Sequence, residues 1–116
     1  MNKDQMNAAL PLSPKVFHIL IALAAEPMNG YRLGQRVEEG TGGTIRMSPA
    51  TLYENIHRLA ERGIIQEVEG DLGEKTDGRG QRFYTLTDVG LEVLKAEVAR
   101  LAADVSLAQS LLALGA

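Results

Sequence analysis

Residues 48–63 read Ser48-Pro49-Ala50-Thr51-Leu52-Tyr53-Glu54-Asn55-Ile56-His57-Arg58-Leu59-Ala60-Glu61-Arg62-Gly63, a helix whose two ends are specified by its own residues. Ser48 suits the N-cap, where a hydroxyl accepts from an otherwise unpaired backbone N–H. Pro49 suits the first helical position, and Gly63 the left-handed residue just past the end. Leu52, Ile56 and Leu59 recur at the i, i+4, i+7 spacing of one buried stripe. Ala50, Thr51, Tyr53, Glu54, His57, Arg58 and Glu61 are thereby left facing outward or to the flanks. The beginning of that outer face is small and hydroxyl-bearing, as a helix that enters a groove requires.

Upstream, Ser13-Pro14 repeats the cap signal. Val16, Phe17, Ile19, Leu20, Ile21, Leu23 and Ala24 make the following helix apolar on nearly every side, which in so small a chain predicts cover from a second copy as well as from its own core. His18 is read there as a packed histidine, not a ligand. Asn29 caps a third segment, Gly30 to Glu39, with Leu33 and Val37 as its buried pair and Gly40 as its end. Thr41-Gly42-Gly43 reads as a loop, and Thr44 to Met47 as a brief strand. Two compact helices joined tightly, the second with a polar outer face, match a helix-turn-helix.

Downstream of Gly63, Ile64 to Val68 and Arg82 to Leu86 are β-branched or aromatic and are separated by a loop carrying Gly70, Gly73, Gly78 and Gly80. This predicts an antiparallel hairpin with a long tip. The expected fold is mostly α with a small β hairpin: a winged helix-turn-helix plus a long C-terminal helix. Its parts are an arm at residues 1–12, partly flexible, a winged domain at 13–87 and a dimerisation helix at 88–116. Thr87 caps that last helix, along which Leu91, Leu94, Val98, Leu101, Val105, Ala108 and Leu112 alternate steps of three and four in a heptad seam. At 1.5 Å per residue it would run about 40 Å, longer than the domain it leaves, so a partner helix is expected. Val16, Phe17 and Leu20 join the seam residues as the expected dimer interface. The alternative is one long helix folded back over its own core, which Gly90 and the apolar first helix disfavour.

The chain has 116 residues and a net charge of −3, with no cysteine, no tryptophan and two histidines. One domain with a modest core fits that length. Disulfides and thiolate metal sites are excluded. The apolar run from Ile19 to Ala25 is too short to cross a membrane, and residues 1–7 lack the basic start of a signal peptide, so a cytoplasmic protein is expected. No segment is basic as a whole: residues 43–85 hold six basic against seven acidic side chains. The acids cluster between Glu67 and Asp77, however, which leaves Arg46, Arg58, Arg62, Arg79 and Arg82 against Glu54 and Glu61 as a local positive patch. Arg79 near the hairpin tip and Arg82 at the base of its return strand are candidate phosphate contacts.

Catalysis finds no support. There are only two histidines, His18 and His57, no cysteine, and no serine in a nucleophile-elbow pattern. Gly70-Asp71-Leu72-Gly73-Glu74-Lys75-Thr76 departs from a phosphate-binding loop in glycine spacing and in the Glu74 that precedes Lys75. No cofactor and no metal are expected.

Three pieces in this order resemble the PadR-like transcriptional regulators, specifically their short subfamily with one C-terminal dimerising helix. They are Asn29-Gly30-Tyr31-Arg32-Leu33; the Ser48 to Tyr53 start with Leu59 and Gly63-Ile64-Ile65 behind it; and Arg82 to Thr87 with Gly90. The resemblance covers about residues 14–105. It implies a dimeric winged helix-turn-helix repressor acting on a near-palindromic double-stranded operator. It also implies that Ser48, Thr51 and Tyr53 are recognition-helix contacts, Tyr31 a backbone contact and Arg79 a wing contact. Short hydroxyls and helix N-terminal N–H groups approach phosphate closely, and arginine forks suit phosphate or guanine. With Arg32, Arg46, Ala50, His57, Arg58 and Arg82, these residues form the candidate DNA-facing set. Tyr53 has a rival role as filler at the edge of the buried stripe.

Two departures bear on regulation. Some short members hold flat hydrophobic drugs with tryptophan, which this chain lacks. Phe17, Leu94 and Val98 would then enclose a dry core between the long helices, a small hydrophobic effector being the alternative. The acidic loop residues Glu69, Asp71, Glu74 and Asp77 would repel phosphate unless the tip turns away. The rival function is a winged-helix module that binds protein and not DNA, in keeping with a pI of 5.3.

Overall fold

The computed structural model describes residues 9–69 and 82–114. Its elements run α1 (Pro14–Ala25), β1 (Met28–Asn29), α2 (Gly30–Gly40), α3 (Pro49–Glu61), β2 (Ile65–Glu69), β3 (Arg82–Leu86) and α4 (Asp88–Leu114). Each expected cap forms. The Ser13 hydroxyl accepts from the Val16 N–H, the Asn29 side-chain oxygen from Arg32, the Ser48 hydroxyl from Thr51 and the Thr87 hydroxyl from Gly90. Gly63 takes a φ of 73°, the left-handed turn expected of it.

The sheet is antiparallel in the order β1-β3-β2, with β3 in the middle. Ile65 pairs with Leu86 and Glu69 with Arg82 along the hairpin, while Met28 pairs with Tyr84 on the other edge. Here the structure corrects the expected strand at Thr44 to Met47. That segment makes no strand; Gly42 and Gly43 both have positive φ, and the Thr41 hydroxyl, by accepting from the Ile45 N–H, shapes the loop into α3. Ile45 and Met47 owe their alternation to packing against the core as single side chains. The third strand is Met28–Asn29, two residues that carry no periodicity to read. Gly40 also remains inside α2, whose end falls at Thr41.

One core lies between α1, α2, α3, the sheet and the first turns of α4. Its fully buried members include Ile19, Leu20, Leu23, Met28, Leu33, Ile64, Ile65 and Val93. Leu52, Ile56 and Leu59 bury the inner stripe of α3, and Leu33 and Val37 that of α2. His18 meets the edge of Phe17, ring centroids 5.7 Å apart, as a packed histidine does.

The helix α4 has two unlike halves. Gly90, Val93, Leu94 and Glu97 are buried at its start, whereas every described side chain from 102 to 113 is exposed. Leu91, Val98, Val105 and Leu112, spaced seven apart, are 39%, 50%, 56% and 73% exposed. Leu20 and Leu94, placed on the expected dimer interface, belong to the domain's own core instead. Leu107 and Leu111, outside that seam, are exposed as well. The projecting helix gives a long axis of 57 Å and a radius of gyration of 16.1 Å, against about 13 to 14 Å for a compact chain of this size.

Glu97 is the one buried charged residue among the described residues. Its Oε2 accepts from the Leu12 N–H at 2.7 Å and its Oε1 from Arg100, which also reaches Asp104. The chain before α1 is thereby tied to α4, and Ala9 packs into the core.

Candidate nucleic-acid interface

The outer face of α3 begins with a compact hydroxyl pair. Ser48 Oγ accepts from the Thr51 N–H at 3.2 Å and donates to Thr51 Oγ1 at 3.1 Å, so both hydroxyls stand at the exposed N-terminus of the helix beside Ala50. The positive end of the helix dipole lies at the same place, a surface suited to an anionic backbone. Asn55 holds the turn from behind by donating to the Thr51 carbonyl at 2.9 Å.

Tyr53 is 45% exposed and lies over Gly30, whose missing side chain makes room for it. A Cβ at Gly30 would fall 2.4 Å from the Tyr53 hydroxyl. The two residues are 23 apart in sequence, and their contact fixes the start of α2 against the outer face of α3. Tyr53 therefore fills a notch with one side of its ring and meets solvent with the other. Tyr84, buried beneath in β3, has its hydroxyl held above the usual range by burial first, then by the Glu67 carboxylate and the Tyr53 hydroxyl, with Arg82 opposing. Tyr31 is 71% exposed, and its hydroxyl accepts from Gln35.

The basic candidates are all exposed, and each described one carries a carboxylate. Arg32 Nη2 lies 3.1 Å from Glu26, which Arg36 also approaches at 3.8 Å. Arg46 Nε meets Glu38 at 2.8 Å, Arg58 meets Glu54 one turn back, and His57 lies within 2.6 Å of Glu61. Arg82 Nε is 3.3 Å from Glu67 across the hairpin. The positive patch expected from sequence is therefore corrected at three of its arginines: Arg46, Arg58 and Arg82 stand as ion pairs, while Arg62 is exposed just past the end of α3. Glu26 lies just before α2, whose Arg32 and Arg36 it meets, and the turn at residues 41–44 brings Arg46 of the α2–α3 loop back to Glu38 near the end of α2. Arg79, and the loop acids Asp71, Glu74 and Asp77, lie outside the described residues.

The turn behind α3 is fixed to α4 by a small clamp that is legible in the sequence only in part. The Thr87 hydroxyl donates toward the Gly63 carbonyl at 2.6 Å and the Ile64 carbonyl at 3.1 Å, and the Thr87 N–H also donates to Ile64. Thr87 and Gly90 were legible as a cap and a helix glycine; that both serve the turn behind α3 was not. Among the described residues no group of three histidine, aspartate or glutamate side chains could hold a metal ion, and no helix is long and apolar enough to cross a membrane.

A capped recognition helix over a partner helix, a β3-centred hairpin and a projecting final helix make the fold of a winged helix regulator. The model of the transcriptional regulator PadR-like family matches residues 19–96, from within α1 to the buried start of α4. The chain belongs to that family. An uncharacterized protein of Lysinibacillus sphaericus is 28% identical over 72 residues, which are 62% of this chain and 63% of that protein. The chain thus spans a little under two thirds of that relative's length. A PadR-like transcriptional regulator from Bacillus cereus has the same fold, with a TM-score of 0.68 and 19% identity over 95% of this chain and 97% of its own. Bacillus subtilis PadR, solved in complex with operator DNA, is similar at a TM-score of 0.63 and 22% identity, over 76% of this chain and 47% of its own. The PadR-like motifs quoted above now have physical explanations: Gly30 seats Tyr53, Ser48 caps α3, and Gly90 admits the Ile64 carbonyl.

Proposed function

We propose that the protein is a dimeric repressor of transcription that binds a near-palindromic DNA operator through α3. The observation that carries this reading is the exposed N-terminus of α3, where Ser48, Ala50, Thr51 and Tyr53 offer small groups, paired hydroxyls and one flat ring at a helix end. Ser48 and Thr51 approach phosphate or a base edge, and Tyr53 stacks or hydrogen-bonds beside them. Tyr31 and Arg32 meet the backbone from α2, His57 and Arg58 from the second turn of α3, and Arg46, Arg79 and Arg82 from the loop and the wing.

Two copies pair through α4. The exposed column Leu91, Val98, Val105 and Leu112 with Leu101 and Ala108 forms the seam, joined by the half-buried Val16 and Phe17 of α1. Two recognition helices about 34 Å apart then meet successive turns of one DNA face. The protein works in the cytoplasm, performs no catalysis and needs no cofactor. Any effector is a small hydrophobic molecule held between the paired helices near Phe17 and Val98.

Fluorescence anisotropy with duplex from upstream of the protein's own coding sequence tests the reading. Salt-dependent binding at nanomolar to micromolar protein is expected. A second reading, a winged-helix module for protein partners, is favoured by the carboxylates beside Arg32, Arg46, Arg58 and Arg82. Absence of any salt-dependent DNA binding at micromolar protein would select it.

A further inference from the structure

We infer that Glu38 and Glu54 compete with DNA phosphate for Arg46 and Arg58, and so hold sequence-independent DNA affinity down. The inference rests on the DNA-binding reading above. Around the recognition face, the five arginines 32, 36, 46, 58 and 82 face the four glutamates 26, 38, 54 and 67, and His57 faces Glu61. Every one of these pairs is solvent-exposed, with side-chain exposures from 41% to 78%.

Exposed pairs of this kind add little to folding, on the order of 1 kcal/mol or less, so stability does not account for so regular an arrangement. Their effect on a polyanion is larger in kind. An arginine that turns to phosphate leaves its carboxylate beside a second negative group, and that carboxylate must take up a cation. Cation uptake offsets part of the counterion release that drives non-specific binding. The N-terminus of α3 bears no acid before Glu54, so the groups suited to base contact lie outside the competition. Weak phosphate contacts combined with unhindered base contacts give a protein that stays off random DNA at cellular concentrations.

Glu38→Gln and Glu54→Gln test this, with Glu92→Gln as a control of equal charge change. Glu92 is exposed on α4 beside Lys95, away from the recognition face. Binding is read by anisotropy with a random-sequence duplex and with the upstream duplex, between about 50 and 200 mM salt. Each recognition-face variant should bind random duplex about two- to fivefold more tightly at the low-salt end, the energy of an exposed pair. Its salt dependence should steepen by about one unit, the cation no longer taken up. Glu92→Gln should match the parent. Parent-like or weaker binding by both face variants overturns the inference, weaker binding because it means the carboxylates position the arginines. An equal gain in Glu92→Gln overturns it too, as bulk charge. If neither parent nor variants bind either duplex at low salt, the DNA-binding reading itself falls; if the parent binds and the variants match it, only this inference does.

Discussion

The carbonyl oxygen of Ile64 occupies the space where a side chain at position 90 would begin, 2.0 Å from the site of its first carbon. Ile64 follows the left-handed Gly63 that ends the turn behind α3, and Gly90 lies in the first turn of α4, so this approach seats one helix against the other. Ile64 is itself fully buried, and its carbonyl accepts from Thr87, which leaves the obstructing atom no freedom to move. Gly90→Ala should therefore destabilise the fold by about 3 kcal/mol, the cost of severe overpacking, although alanine favours helix. Thermal unfolding followed by circular dichroism checks this. An unchanged or raised Tm would mean that α4 is not seated as described.

Gly30→Ala has the opposite profile. The added carbon meets the far end of the Tyr53 ring at 2.4 to 2.9 Å, and that ring is already 45% exposed, so it can swing away. Stability should change by less than about 1 kcal/mol, because the helical preference of alanine offsets lost contact. Operator affinity should fall by about 1 to 3 kcal/mol, as for Tyr53→Ala, because the ring leaves its seat. Thermal melts and anisotropy on the same sample separate the two effects. A variant that binds DNA like the parent would remove Tyr53 from the recognition surface.

The caps and stripes of α1, α2, α3 and α4 were legible because each rests on residues within one or two turns of each other. Ser48 with Pro49, and Leu52 with Ile56 and Leu59, need no knowledge of the rest of the chain. What escaped were relationships made by the fold. Met28 and Asn29 form a strand only because β3 lies beside them, and two residues show no alternation. Ile45 and Met47 alternate yet form none, because the left-handed Gly42 and Gly43 and the Thr41 hydroxyl hold the segment as a loop. Likewise Glu38 near the end of α2 pairs with Arg46 across the loop that follows, a contact that charge counting along the chain does not reveal. Leu94 sits at seam spacing and Leu20 on the all-apolar first helix, but depth in the domain's own core is a property of packing that neither pattern reveals.

Acid should expose the role of Glu97. Its carboxyl is held below the ordinary value of 4.5, first by the hydrogen bond from Arg100 and then by the Leu12 N–H, with burial opposing. The folded state therefore takes up this proton less readily than the unfolded chain. The resulting stability is fully present above about pH 5 and is lost as pH falls through the depressed folded value. Glu97→Gln should cost about 1 to 3 kcal/mol at neutral pH, the worth of charge-assisted bonds to a buried group. The gap to the parent should narrow as pH drops below 4.5. Urea unfolding at pH 7 and near pH 4 measures both, and a gap independent of pH would assign the loss to shape alone.

The wing separates phosphate contact from sequence reading. Arg79→Ala should lower affinity for all duplexes and reduce the salt slope by about one unit, whereas Thr51→Ala should cost about 1 to 3 kcal/mol on the operator and leave the slope unchanged. Thr51 also shares its hydroxyl with Ser48, so the helix end should be checked by circular dichroism. Equal losses on random and operator duplex for Thr51→Ala would move it from base reading to backbone contact.

Charges placed on the seam should divide the dimer without unfolding the protomer. Val98 and Val105 stand two turns apart on one side of α4, half-exposed, and no contact within the protomer needs them. Val98→Glu with Val105→Glu would bury two carboxylates per chain against apolar neighbours if copies pair there, and like charges would face each other across the axis. Sedimentation at tens of micromolar should then give a dimer for the parent and a monomer for the double variant, with helix content retained up to the loss of partner support in the distal turns. Operator affinity should fall with the dimer, since one recognition helix alone reads half a site. A parent that sediments as a monomer would remove the pairing and the operator geometry built on it. A double variant that remains dimeric would shift the contact elsewhere on α4, with Leu107 and Leu111 as the next surface to charge.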